Sequence, residues 1–228
     1  MYEQWGRDVE LAHRTFDRYW AAPHALGERI DFWHPTTTFE GLEKRGHEMI
    51  DAYHELSDWR SKSHVTLGTE IRFVVPLGER HELEGTVDKL VANKATKSIS
   101  VIDFKTGSNV PRKLRFNLQF SAYCYATTRK EFWQFVPGFE DGYERFHGWS
   151  RDGWWYHARN GRFFNAGKRS DEDYRRVILA ANEMENAIKA NAFPLDVKGE
   201  NCYYCPFSDG TCGAEVEDEW QRFVSTPS

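Results

Sequence analysis

The chain has 228 residues, 40% apolar and 15% aromatic, with 30 Lys and Arg against 35 Asp and Glu, for a net charge of −5. This is ample material for a packed core and excludes a disordered chain; the length fits one domain with elaborations, or a core domain with a small appendage. The acidity gives no bulk attraction to nucleic acid, so a nucleic-acid reader would have to work through local basic clusters. No run of about eighteen apolar residues occurs, so no membrane span is expected. The N-terminal MYEQWGRDVELAH has no apolar segment of the kind a signal peptide carries, and a cytoplasmic location is expected.

Residues 4–22 carry Val9, Leu11, Ala12, Phe16, Tyr19 and Trp20 at helical spacing, with Pro23 as the stop. Thr36–Thr38 offers caps for a second helix over about 39–58, with Leu42, Met49, Ile50, Tyr53 and Leu56 on one face. His13 lies on the first helix. His47 and His54 lie a heptad apart on the second, where an exposed face is expected. From His64 the period shifts to strands. TLGTEIRFVVPLG alternates, with Glu70 and Arg72 on one side and Ile71 and Phe73 on the other, and HELEGTVDKLVA follows with Gly85 and Asp88. After a polar turn at Asn93–Thr96, SISVIDFKTG returns antiparallel. Asp103 and Lys105, two apart, share a face of that strand, while Ile102 and Phe104 share the other. Asp88 and Asp103 are thereby expected on neighbouring strands of one hairpin.

Beyond Pro111, LRFNLQFSAYCYATTRK reads as a helix that packs through Leu118, Ala122 and Tyr125 and projects Gln119 and Tyr123, i and i+4, from one face. The aromatic stretches YERFHGWS, DGWWYHARN and GRFFNAG read as further strands. A long helix is expected over about 171–191, with Tyr174, Val177, Ile178, Ala181, Met184 and Ile188 as its apolar stripe, and a short one around Glu217–Phe223. Arg112, Lys113 and Arg115 form a basic trio, suited either to a phosphate contact or to solvent.

Two carboxylates from adjacent strands suit Mg²⁺ or Mn²⁺, hard ions that prefer oxygen, and the backbone carbonyl of Phe104 is a further candidate donor, with Glu70 a weaker one. Such an ion beside Lys105 would polarise a phosphodiester and activate a water. A structural ion pair at a sheet edge is the plainer alternative for Asp103 and Lys105. Of the four cysteines, Cys202, Cys205 and Cys212 fall within eleven residues. Without secretory features that spacing reads as metal or cluster ligation, iron–sulfur or zinc, rather than disulfides.

G-T-V-D ending at Asp88, I-D-F-K-T-G from Ile102 and Q-F-S-A-Y from Gln119 together resemble the RecB-type branch of the PD-(D/E)xK nucleases. The resemblance implies an α+β, restriction-endonuclease-like core, a mixed sheet flanked by helices. It also implies an active site of Asp88, Asp103, Lys105, Gln119 and Tyr123, and one or two Mg²⁺ or Mn²⁺ ions cutting DNA, as an exonuclease acting on ends or single strands. The C-terminal C-x2-C-x6-C resembles the cysteines that hold a [4Fe–4S] cluster in RecB-like and CRISPR-associated exonucleases. The fourth ligand is left open between Cys124, a histidine and an upstream cysteine. The family's histidine helix has only poor matches here, at His13 and His47. Residues 1–60 are expected as a helical region, 61–168 as the nuclease core and 169–228 as a helix with the cysteine region. Helicase, recombination or CRISPR proteins are the partners the resemblance implies. Tyr123, Tyr125, Trp154 and Trp155 are candidates for stacking on bases. A non-catalytic DNA-binding scaffold and a zinc-binding interaction domain are the alternatives.

Overall fold

The computed structural model describes residues 8–25, 37–56, 63–107 and 113–192. Arg112, the three C-terminal cysteines and the expected helix at 217–223 lie outside the described residues. The elements are α1 (Val9–Ala25), α2 (Phe39–Glu55), β1 (His64–Leu77), β2 (His81–Asn93), β3 (Ser98–Lys105), α3 (Leu118–Ala126), the single turn α4 (Gly142–Arg145), β4 (Ser150–His157), β5 (Arg162–Lys168) and α5 (Asp171–Lys189). The chain forms two compact units, residues 1–179 and 180–228; α5 runs across the division, and the described part of the second unit is helical to Lys189. No described helix is long and apolar enough to cross a membrane.

The strands lie in the order β1-β2-β3-β4-β5. The pairs β1/β2, β2/β3 and β4/β5 are antiparallel, and β3/β4 is parallel. A parallel neighbour needs a crossover, because the chain must return to the same end of the sheet. Residues 106–149 supply it and carry α3. This α+β mixed sheet with flanking helices is the architecture expected from the motifs.

Each sheet face has its own core. On one side Leu67, Ile71, Phe73, Val87, Leu90, Ile99, Val101 and Trp155 pack with Phe120 and Cys124 of α3 and with Phe132 and Trp133. On the other, Val91, Ile102 and Tyr156 pack with Met49 and Tyr53 of α2. Thr38 caps α2 by accepting the Gly41 amide at 3.0 Å, which satisfies one of the helix's free donors.

Several expectations change. α1 runs through Pro23 to Ala25; the proline removes one helical hydrogen bond just before the helix ends and does not stop it at once. YERFHGWS is not a strand over its length: Tyr143–Arg145 belong to α4 and only Ser150 enters β4, and Gly142 lies so close to Trp133 that a Cβ there would collide with its ring. α3 packs through Phe120 and Cys124, both fully buried, with Ala122 and Tyr125 also buried, and leaves Leu118 45% exposed. FSAYCYA is apolar nearly all round, so its spacing did not decide which face turns inward. In α5, Tyr174 and Val177 pack inward while Met184 and Ile188 are exposed.

Candidate active site

The β2/β3 ladder runs from Asn93↔Ser98 to Lys89↔Ile102 and stops there. One residue beyond, the Asp88 side chain takes over from the backbone: its Oδ2 accepts the Phe104 amide at 2.7 Å. The expectation of two aspartates on one hairpin is met. Phe104 enters the site through its N–H, which ties it to Asp88.

Asp103 is 2% exposed. Lys105 Nζ donates to its Oδ1 at 3.0 Å and stands 2.9 Å from Oδ2, yet Oδ2 has no well-directed hydrogen bond. Burial pushes the Asp103 carboxyl up, the Lys105 hydrogen bond and charge pull it down, and the Asp88 charge pushes it up again. Asp103 pairs with Trp155 and Lys105 with His157 across the parallel β3/β4 ladder. The Lys105 ammonium accordingly lies 5.8 Å from the centre of the Trp155 ring.

Glu70 sits on β1 between the pairs Thr69↔Lys89 and Ile71↔Val87, which places it opposite Asp88. It has a left-handed backbone, φ +50°, a conformation that costs a non-glycine residue energy and is found where something else demands it. Partial desolvation, then the Asp88 charge, push its carboxyl up. The Asp88 charge thus adds to burial in pushing up both Glu70 and Asp103, a field that a divalent cation would relieve.

Among the described residues, no group of three or more His, Cys, Asp or Glu side chains is arranged as a ready metal cage. The donor set that does exist, buried Asp103 with an underused oxygen and Asp88 beside it, fits Mg²⁺ or Mn²⁺. Such ions are commonly held by one or two carboxylates, with water and substrate phosphate completing the shell. Gln119 and Tyr123 are joined on α3 by a hydrogen bond from Nε2 to the hydroxyl at 3.3 Å. Tyr123 packs edge-on against Phe73 and lies over Gly85, where a Cβ would come within 3.0 Å of its ring. The glycine of G-T-V-D is thus the gap into which the tyrosine fits.

Other candidates go elsewhere. Arg115, its side chain still 47% exposed, forms a two-pronged pair with Asp173, at 2.8 and 3.0 Å. Tyr125 is buried, and its hydroxyl donates to the Pro76 carbonyl at 3.2 Å. Trp154 lies one residue out of phase with Trp155, and its indole donates to Asp152 at 2.9 Å. Cys124 is completely buried and its thiol is pushed up to about 12, chiefly by burial.

His13 and His47 meet each other, Nδ1 to Nδ1 at 2.6 Å. The far nitrogen of His13 reaches Asp51 and that of His47 reaches Asp17, each at 2.8 Å. This chain of four side chains clasps α1 to α2. α2 covers the sheet face of Phe104 and Tyr156, which its Tyr53 touches, opposite to that of Asp103 and Lys105.

A comparison with family models matches the PD-(D/E)XK nuclease superfamily over residues 3–212. The chain belongs to the PD-(D/E)XK nuclease superfamily. The five-stranded mixed sheet with flanking helices is the restriction-endonuclease-like fold of that superfamily, and the D-x-K pair of its name coincides in type with Asp103 and Lys105. The matched span runs through Cys202 and Cys205 and ends at Cys212. A comparison with curated proteins gives no match.

Proposed function

We propose that this superfamily member is a divalent-metal-dependent deoxyribonuclease that hydrolyses phosphodiester bonds at Asp88, Asp103 and Lys105, with Gln119 and Tyr123 lining the site. The observation that carries the reading is the ladder end, where Asp88 grips the Phe104 amide and Lys105 grips a buried Asp103. A bound Mg²⁺ or Mn²⁺ supplies polarisation of the phosphoryl oxygens and a more acidic water. Asp88 and Asp103 hold that ion through carboxylate oxygens. Lys105, 36% exposed at the side chain, reaches from Asp103 towards solvent, where it orients the attacking water or meets the charge that builds on the phosphoryl oxygens. The Gln119–Tyr123 bond keeps both groups in one rotamer, so that they position the strand without first paying ordering entropy. The RecB-type motifs support action on ends or single strands.

The test is degradation of labelled linear and circular DNA, single- and double-stranded, with Mg²⁺ or Mn²⁺ and with chelator. Ion-dependent loss of linear substrate, abolished in Asp103→Ala and Lys105→Ala proteins, is expected. Activity unchanged in either variant refutes the assignment, and degradation of circles refutes the end requirement.

We further propose that Cys202, Cys205 and Cys212 ligate a [4Fe–4S] cluster, with zinc as the competitor. The spacing and the reach of the family match to Cys212 support this. A thiol as buried as Cys124 is a poor fourth ligand, because ligation needs a thiolate. A brown anaerobic preparation with visible absorbance is expected; a colourless one with stoichiometric zinc decides for zinc.

A further inference from the structure

His157 closes β4 and is 3% exposed. Neither ring nitrogen has a hydrogen-bond partner among the described residues. Its neighbour Trp155, two residues back on the same face, is likewise buried with an unpartnered indole nitrogen. Burying a polar group without a partner is costly, and an apolar ring of similar size would avoid that cost. A cost of this kind persists where the site needs the group in another state.

The register names the state. His157 is the strand partner of Lys105 across the parallel β3/β4 ladder, as Trp155 is of Asp103, so all four side chains project from one sheet face. Among the described carboxylates the Lys105 ammonium is held by Asp103 alone, with a hydrogen bond to Oδ1 and the charge of Oδ2 at 2.9 Å. Those are the oxygens that a divalent ion would draw on. Once they turn to an ion, the ammonium needs another acceptor. A neutral imidazole has one acceptor nitrogen, and that of His157 stands on the adjoining strand at the same level.

We propose that His157 is a positioning residue for Lys105. It accepts a hydrogen bond from the ammonium when Asp103 is engaged by the metal ion, and so keeps the lysine aimed at the scissile phosphate. The proposal deepens the nuclease reading and rests on it.

The experiment compares His157→Phe and His157→Gln with the unsubstituted protein, by thermal melting and by steady-state cleavage of labelled DNA with Mg²⁺. His157→Leu is the second apolar variant should the phenylalanine fail to fold. Removing two unpartnered nitrogens should leave the apolar variant melting at or above the parent temperature. Its kcat should fall about 10- to 100-fold, the loss typical of a group that orients a site residue, with KM unchanged. His157→Gln, which keeps an acceptor, should recover most of the rate. An apolar variant with parental kcat, a loss confined to KM, or a glutamine variant as slow as the apolar one overturns the inference. Lys105→Ala in the same assay separates the two levels. If that variant stays active the nuclease assignment fails; if it is dead while His157→Phe is fully active, only the role of His157 fails.

Discussion

Replacing Asp103 by Asn should make the cation-free protein more stable while abolishing cleavage. The Asp103 side chain is 3% exposed, and its Oδ2, although 2.9 Å from the Lys105 ammonium, lacks a well-directed hydrogen bond. An underserved buried oxygen of this kind costs about 1–3 kcal/mol. The Lys105 pair, whose cation is partly in water, returns about 0.2–1 kcal/mol. Removing the charge should therefore gain about 1 kcal/mol, or about 2–4 °C in melting temperature for a chain of this length. The direction with pH follows from the raised carboxyl, held up by burial first and then by Asp88. The unfolded chain loses this proton near pH 3.9 and the folded protein at a higher pH. Stability is thus lost between those two values and stays lost above them. Melting in chelator at pH 7.5 should show Asp103→Asn above the parent, with the gap closing as the pH falls towards about 4. Saturating Mg²⁺ should reverse the order, since an ion at 100 times its Kd adds about 2.7 kcal/mol to a protein that binds it. A variant that melts below the parent in chelator at pH 7.5 would refute the account of Asp103 as a strained, ion-awaiting carboxylate.

Asp173→Ala should destabilise the fold by about 2–3 kcal/mol in urea titrations at pH 7, because it removes charge-assisted bonds to Arg115 and to the Ser170 amide and hydroxyl. Arg115 holds the Asp173 carboxyl far below the usual carboxylate range. Its contribution is present above about pH 4 and lost as pH falls through the folded value, so the gap to the variant should narrow in strong acid. Gly142→Ala should cost about 1–3 kcal/mol, as the new methyl collides with the buried Trp133 ring; unchanged chemical denaturation would show that α4 shifts freely. A thiol reagent at pH 8 should leave Cys124 unmodified in the folded protein, where burial pushes its thiol up to about 12, and modify it after unfolding, as read by peptide mapping.

The sequence by itself was enough for the strand hairpin, the Asp88/Asp103 juxtaposition and the Gln119/Tyr123 pair, because each depends on local periodicity. Alternation puts Asp103 and Lys105 on one face, a short polar turn brings β2 back against β3, and an i, i+4 spacing aligns two side chains on a helix. The inward face of α3 was not legible, since an all-apolar segment carries no amphipathic phase. Nor was the fate of Arg115: a basic trio looks the same whether it meets a phosphate or Asp173 at the start of α5. Glu70 could be named as a candidate from alternation, but its left-handed backbone opposite Asp88 is a feature of the folded β1/β2 pair alone. His13 and His47 read as isolated residues until two helices packed and turned them face to face. His157 was invisible as a site residue, one more position in an aromatic strand. Its significance arises from the parallel β3/β4 register, which a crossover of more than forty residues imposes. Local pattern determines which groups share a face of one element; only the packing of distant elements decides which of those groups lose their water and which partner, if any, replaces it.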